Sequence, residues 1–120
     1  VKYRQTLIEP GIIKIEVTEN AILDLEDVLA MRKTNLGLNK GKNFCILWDS
    51  REVHFTIDPE ALHRMASAEY QETRYAAAIL VNSLAGKLVG NFFKSLTSGK
   101  SPTRLFQHES EALEWLRKFL

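Results

Sequence analysis

Cysteine is almost missing from this chain, and the single Cys45 rules out an internal disulfide and any CxxC metal knuckle. It sits inside the apolar run FCILW, where a thiol behaves as a small buried hydrophobe rather than a reactive group. Long hydrophobic runs are also lacking. The longest, Ala76 to Val81, falls far short of a membrane span, so no membrane insertion is expected. There is no excess of charge either. The 16 Lys+Arg against 15 Asp+Glu leave a net +1, which offers no broad field for nucleic acid or an acidic membrane. The charged, alternating amino terminus does not read as a signal peptide, and a cytoplasmic location is expected. What remains, 45% hydrophobic and 26% charged residues over 120 positions, is enough for one core without metals or disulfides. A single domain over residues 1–120 is therefore expected.

Hydrophobic period and turn chemistry divide the chain. KYRQTLIE and IIKIEV flank Pro10-Gly11, which suits a type II turn, because Pro presets φ at the first central position and Gly supplies positive φ at the second. Ile13, Ile15 and Val17 alternate with Lys14 and Glu16, so the opening reads as an antiparallel hairpin with one buried face. Asp24 precedes LEDVLAMRKTNL with Asp27 three positions on, an aspartate version of a capping box. Leu25, Val28, Leu29 and Leu36 share a face of this helix, and Gly37 is placed to end it. FCILW is apolar throughout and reads as a central strand buried on both sides. Asp58 is placed to cap a following helix, with Pro59 at its first position. AAAILV reads as a second central strand, and SLAGKLVGNFFKSL as a helix capped by Asn82 or Ser83. TRLF reads as a short strand, and EALEWLRKFL as a closing amphipathic helix. The order β-β-α-β-α-β-α-β-α implies an α/β sandwich whose mainly parallel sheet begins with an antiparallel hairpin.

Catalytic motifs are weak. SGKS resembles the tail of a phosphate-binding loop, but Lys94 occupies the earlier glycine position and a strand follows where a helix is needed. His54, His63 and His108 are scattered, with no HExxH, so no metal is expected. Ser50, His54 and Asp58 share one polar loop without the GxSxG elbow that strains a nucleophilic serine, and no GxGxxG suggests a dinucleotide. No enzyme activity and no cofactor are expected. Two charges break their local patterns: Arg32 falls on the first helix's apolar stripe and Glu69 on the stripe of Leu62 and Met65. Either Arg32 snorkels past the helix end and the second helix stops before Glu69, or the two form an inter-helix pair. In the helix after Ser83, Leu84, Leu88, Val89, Phe92, Phe93 and Leu96 cover an apolar arc of about 180°. Gly86 and Gly90 border that arc beside Phe93, making a candidate self-association surface of homodimer type.

The stretch WDSREVHFTID, an apolar strand ending in Asp49 and leading through Val53, Phe55 and Ile57 to Asp58 at a helix start, resembles the central motif of STAS domains. These are the anti-sigma-factor-antagonist folds, also found on the tails of sulphate transporters. The layout is similar over nearly the whole chain, with the look of small stand-alone bacterial STAS-like proteins of unassigned function. In the regulators of that family the aspartate is followed at once by a serine or threonine that a kinase phosphorylates. This sequence carries Pro59 and Glu60 there, so the phospho-switch is absent at the matching position. The resemblance implies a non-catalytic regulatory or protein-interaction module with an unknown protein partner. Its expected binding edge comprises Asp49, Ser50, Arg51, His54, Thr56, Asp58, Glu60, Asn82 and Ser83. The alternative is a small-molecule or lipid carrier, with the helix bearing Phe92 and Phe93 walling an apolar cavity.

Overall fold

The computed structural model describes residues 1–82 and 101–120. The helix expected from Ser83 onward, with Gly86, Gly90, Phe92 and Phe93, lies outside the described residues, as does the SGKS stretch before Ser101. Two strands open the chain, β1 (Tyr3–Glu9) and β2 (Ile12–Val17), paired antiparallel. Gly11 takes φ 84° in their turn, as the Pro-Gly reading requires. A Cβ at this position would also meet Leu120 Cδ2 at 2.8 Å, a contact the exposed terminal side chain can relieve, so the positive φ is what calls for glycine. Strands β4 (Phe44–Asp49), β6 (Arg74–Leu80) and β7 (Thr103–Phe106) continue the sheet in parallel, in the order β1-β2-β4-β6-β7.

Two further strands were not expected. β3 (Ile22–Leu23) and β5 (Thr56–Ile57) form a separate parallel ladder of two residues each. An equally short helix, α3 (Ala68–Gln71), follows α2 (Pro59–Met65). Among the described residues the expected elements keep their order, with these three short ones added. The longer helices α1 (Leu25–Leu38) and α4 (Glu109–Arg117) match the expected ones.

Burial follows from the strand period of two. Phe44 through Trp48 are all buried, and alternate residues feed two cores. Ile13, Ile15, Ile46, Trp48, Ala77 and Ile79 pack on the face that also holds Val28 and Met31 of α1 and Ala61 and Met65 of α2. Ile12, Cys45, Leu47, Ala78 and Leu80 pack on the other, against Ala112 and Leu116 of α4. Cys45 is fully buried and burial pushes its thiol up to about 11, so it is an inert thiol at neutral pH.

Helix ends show where local signals succeeded and failed. Asp24 Oδ1 accepts from the Asp27 amide at 2.9 Å, and Asp27 Oδ2 accepts from the Asp24 amide at 3.0 Å, so the aspartate capping box is real. Asp58 occupies the cap position of α2 but makes no side-chain cap bond, which corrects the expected cap. Pro59 sits at the start of α2 as expected. Gly37 does not end α1. The helix runs on to Leu38, and Lys40, at φ 57°, takes the left-handed position of a Schellman motif instead. The Gly41 amide donates to the Leu36 carbonyl at 2.7 Å and the Lys40 amide to the Gly37 carbonyl at 3.2 Å. The buried face of α1 is Val28, Met31 and Asn35, with Leu29 39% exposed, because Gln5 of β1 fixes Asn35 inward through a 2.6 Å bond to its Oδ1.

Arg32 combines parts of both expectations. α2 does stop before Glu69, yet Arg32 still reaches that turn. Its Nη2 donates to the Glu69 carbonyl at 3.1 Å and its Nε to the Tyr70 carbonyl at 3.4 Å, so the acceptors are backbone oxygens ending α3 rather than the Glu69 carboxylate.

These caps lead to two stability expectations, both readable by urea denaturation. Asp24→Ala should cost about 1 kcal/mol, whereas Asp58→Ala should cost no more than a few tenths; equal losses would contradict the cap geometry. Lys40→Gly should stabilise by about 0.5–1 kcal/mol, because it removes the left-handed penalty while giving back part of that gain as unfolded-state entropy. A destabilised Lys40→Gly would show that the lysine is not strained there.

Candidate functional site

Parallel strands β2, β4, β6 and β7 all deliver their carboxyl ends to one edge of the sheet, the usual location of ligand sites in open α/β sheets. The chain leaves the core at that edge through Asp49. Cys45, Leu47 and Asp49 share a strand face, so the carboxylate emerges on the α4 side, where Lys14 of β2 also points. Four charges meet there. Arg51 holds Asp49 in a fork, Nε to Oδ1 at 3.0 Å and Nη2 to Oδ2 at 2.9 Å. Its Nη2 also reaches Glu109 Oε1 at 3.3 Å, and Lys14 Nζ donates to the same oxygen at 2.9 Å. Lys14 Nζ lies 3.7 Å from Asp49 Oδ2, closing the quartet.

Each member is half-buried or better screened, with 13% of the Asp49 side chain exposed and 18% of Lys14. Desolvation pushes the Asp49 carboxyl up, but the Arg51 hydrogen bonds and the charges of Arg51 and Lys14 outweigh it and hold it below the ordinary carboxylate value. Burial pulls the Lys14 ammonium down, and Glu109 more than restores it. Two cations and two anions therefore neutralise each other within the quartet.

Beyond Arg51 the loop is fastened at separate points. The Ser50 hydroxyl donates to the Leu80 carbonyl at 2.6 Å. Glu52 adopts φ 59°, a left-handed conformation uncommon for a non-glycine residue, and its amide donates to Asn82 Oδ1 at 3.4 Å. The His54 amide donates to Glu19 Oε2 at 3.2 Å, while its Nδ1 lies 3.0 Å from Glu19 Oε1. The Asn20 amide donates to the His54 carbonyl at 2.6 Å. Phe55 tucks under, with its ring centroid 6.1 Å from that of Trp48. Thr56 and Asp58 donate their amides to the Ala21 and Leu23 carbonyls at 3.0 and 2.9 Å. The alternation leaves Glu52, His54 and Thr56 exposed above half-buried Val53, Phe55 and Ile57.

Of the expected edge, the structure brings Asp49, Ser50, Arg51 and Asn82 together at the strand ends, and sets His54, Thr56, Asp58 and Glu60 along the ribbon beyond. Ser83 and the surface of Gly86, Gly90 and Phe93 lie outside the described residues. Ser50 and His54 bond to Leu80 and Glu19 rather than to each other. Sequence reading missed Lys14, Glu19, Ile22 and Glu109. Lys14 read only as an outward polar position on a strand with one buried face, and Glu109 stands two residues ahead of the closing helix read from Glu111. Their pairing across 95 positions had no local signal. Among the described residues no group of histidine, cysteine and carboxylates is arranged to hold a metal ion, and no helix is long and apolar enough to cross a membrane.

The sequence profile of a domain of unknown function, DUF7793, matches residues 6–120. No curated protein matches the chain. The crystal structure of an uncharacterised DUF3478-family protein with a SpoIIAA-like fold, from Shewanella loihica PV-4, superposes with a TM-score of 0.64. Its identity is 14%, over 95% of this chain and 91% of that one, so the likeness is one of fold. The STAS-like sandwich expected from the sequence is thus the fold of this chain.

The quartet carries a pH dependence with a definite sign. Because the folded Asp49 carboxyl lies below its unfolded value of about 3.9, its stabilising contribution is complete above that pH and is lost as pH falls through the lower folded value. Asp49→Asn should therefore be less stable than the parent at pH 7 and should lose less stability on acidification below about pH 4. Parallel acid-stability curves for the two proteins would show that the carboxylate is not held by this network.

Proposed function

The chain belongs to the DUF7793 family, and on that premise we propose that it is a non-catalytic regulatory or protein-interaction module that docks a protein partner on the ribbon Glu52 to Glu60. The observation that supports this most is Ile22. It is 58% exposed and stands directly opposite Thr56 in the β3–β5 ladder. The exposed Ile22 side chain thus lies beside Thr56 on a ribbon whose His54 and Glu60 are also exposed. Docking surfaces are commonly built as an apolar centre with a polar rim. The backbone beneath is already bonded to Ala21 and Leu23, so binding costs little additional ordering.

The favoured reading is constitutive rather than switched. STAS regulators carry a phosphorylated hydroxyl after the aspartate, whereas Pro59 has none and Glu60 supplies a permanent anion in the first turn of α2. Against a hydrolytic role, the Ser50 hydroxyl and the His54 ring are committed to different partners. The carrier alternative rests on the expected helix bearing Phe92 and Phe93, which lies outside the described residues. The separate cavity under α1 and α3, at about 20 Å³, is far too small for a lipid.

A photo-crosslinking residue placed at Thr56 in the producing cells tests the proposal. It should yield a discrete protein adduct that Ile22→Asp abolishes, while the same probe at Tyr75 yields none. Ile22→Asp should leave folding stability within about 0.5 kcal/mol, as expected of an exposed site. No adduct at Thr56, or one indifferent to Ile22→Asp, would contradict the docking surface.

A further inference from the structure

Far from the rim, at the amino end of β6, a guanidinium is buried without an anionic partner. Arg74 is 8% exposed and its Nε donates to Ser101 Oγ at 2.8 Å, but its Nη2 meets no acceptor. The hydroxyl of the preceding Thr73 is likewise buried and unbonded. Both residues line a cavity of about 20 Å³ between α1, α3 and the sheet. Arg32 and Asn35 of α1 and Tyr70 of α3 line it as well, and no carboxylate does so among the described residues.

We propose that this cavity is a binding site for one small anion of halide size, held by Arg74 Nη2 and the Thr73 hydroxyl. A second cation reinforces the choice of charge. Arg32 is half-buried and bonded to the neutral Glu69 and Tyr70 carbonyls, with its guanidinium 5.9 Å from the centre of the Tyr70 ring, so it adds a partly screened positive charge beside the cavity. Neutral acceptors satisfy donors without offsetting the charge, and a buried uncompensated cation is unfavourable. Burial pulls the Arg74 guanidinium down to about 10, which still leaves it protonated at neutral pH. A water molecule could accept from both groups yet would leave the buried Arg74 charge uncompensated. An anion accepts from both and compensates that charge. The volume of about 20 Å³ admits one particle of roughly water size, so a phosphate or carboxylate would have to displace the lining. It is the uncompensated charge rather than the volume that favours a halide over water.

Thermal unfolding in sodium chloride and in sodium gluconate at matched ionic strength tests the site, because gluconate is too large to enter. Chloride should give a saturating upward shift in Tm that gluconate does not, as binding to the folded state alone requires. Arg74→Met should remove the halide-specific shift, and Thr73→Ala, which keeps the charge and deletes one donor, should raise the half-saturating chloride concentration several-fold. Crystals of the unaltered protein grown in bromide should show an anomalous peak beside Arg74 Nη2, a readout that does not depend on either variant folding. Superimposable chloride and gluconate curves with no bromide peak would overturn the proposal. So would a halide shift undiminished in both variants, since it would belong to another site.

Discussion

The constraint on which the rest of the structure depends is that β4 is buried on both faces. Five successive residues, Phe44 to Trp48, have no exposed side, so the strand needs neighbours along both edges and a cover above and below. Parallel pairing to β2 and β6 supplies the edges. α1 and α2 cover one face through Val28, Met31 and Met65, and α4 covers the other through Ala112 and Leu116. With each buried side chain contributing on the order of 1.5–3 kcal/mol, no surface ion pair in the molecule rivals this central strip. Parallel pairing of β2, β4, β6 and β7 then sends their carboxyl ends to a common edge, which creates the site before any polar residue is chosen.

The exit from that strip explains the site's chemistry. A chain leaving a two-sided core must pass from apolar to charged surroundings within a residue or two, and Asp49 marks that step. Half-burial makes its carboxylate expensive unless it is held, and Arg51 holds it in a fork while Lys14 and Glu109 complete neutrality. The same quartet ties β2, β4 and the start of α4 together. It forms a clasp that fixes the edge, with each charge set beside an opposite one. The loop beyond inherits this rigidity, with Glu52 accepting a left-handed backbone and His54 joined to Glu19. The exposed ribbon therefore combines one left-handed backbone position with several internal fastenings.

Much of the fold was legible because its signals are local. The Pro10-Gly11 hairpin, the Asp24–Asp27 box, and the TRLF strand with its observed bounds Thr103–Phe106 each follow from a few adjacent residues. The unread parts are those decided by distance or by brevity. β3 and β5 have two residues each, too few to show any period. α1 passed Gly37 because Lys40 could adopt the left-handed turn one cap further on, a competition that the sequence leaves undecided. Asp58 has the residue type of a cap, yet its side chain makes no such bond. Arg32 was recognised as misplaced, but its acceptors are backbone carbonyls of a helix four residues long. At the site, Asp49 and Arg51 could be read in one stretch, whereas Lys14 and Glu109 enter only through sheet register and the packing of α4.

The central claim is that the ribbon after Asp49 is a fixed surface anchored to β3 rather than a loose connection. Native-state hydrogen exchange of three amides measures this directly: Thr56 and Asp58, bonded to the Ala21 and Leu23 carbonyls, against Glu60, one of the orphan donors in the first turn of α2. The account predicts that the Thr56 and Asp58 amides exchange only on opening of the ladder, far more slowly than that of Glu60. Exchange of all three at the rate of an unstructured chain would contradict it.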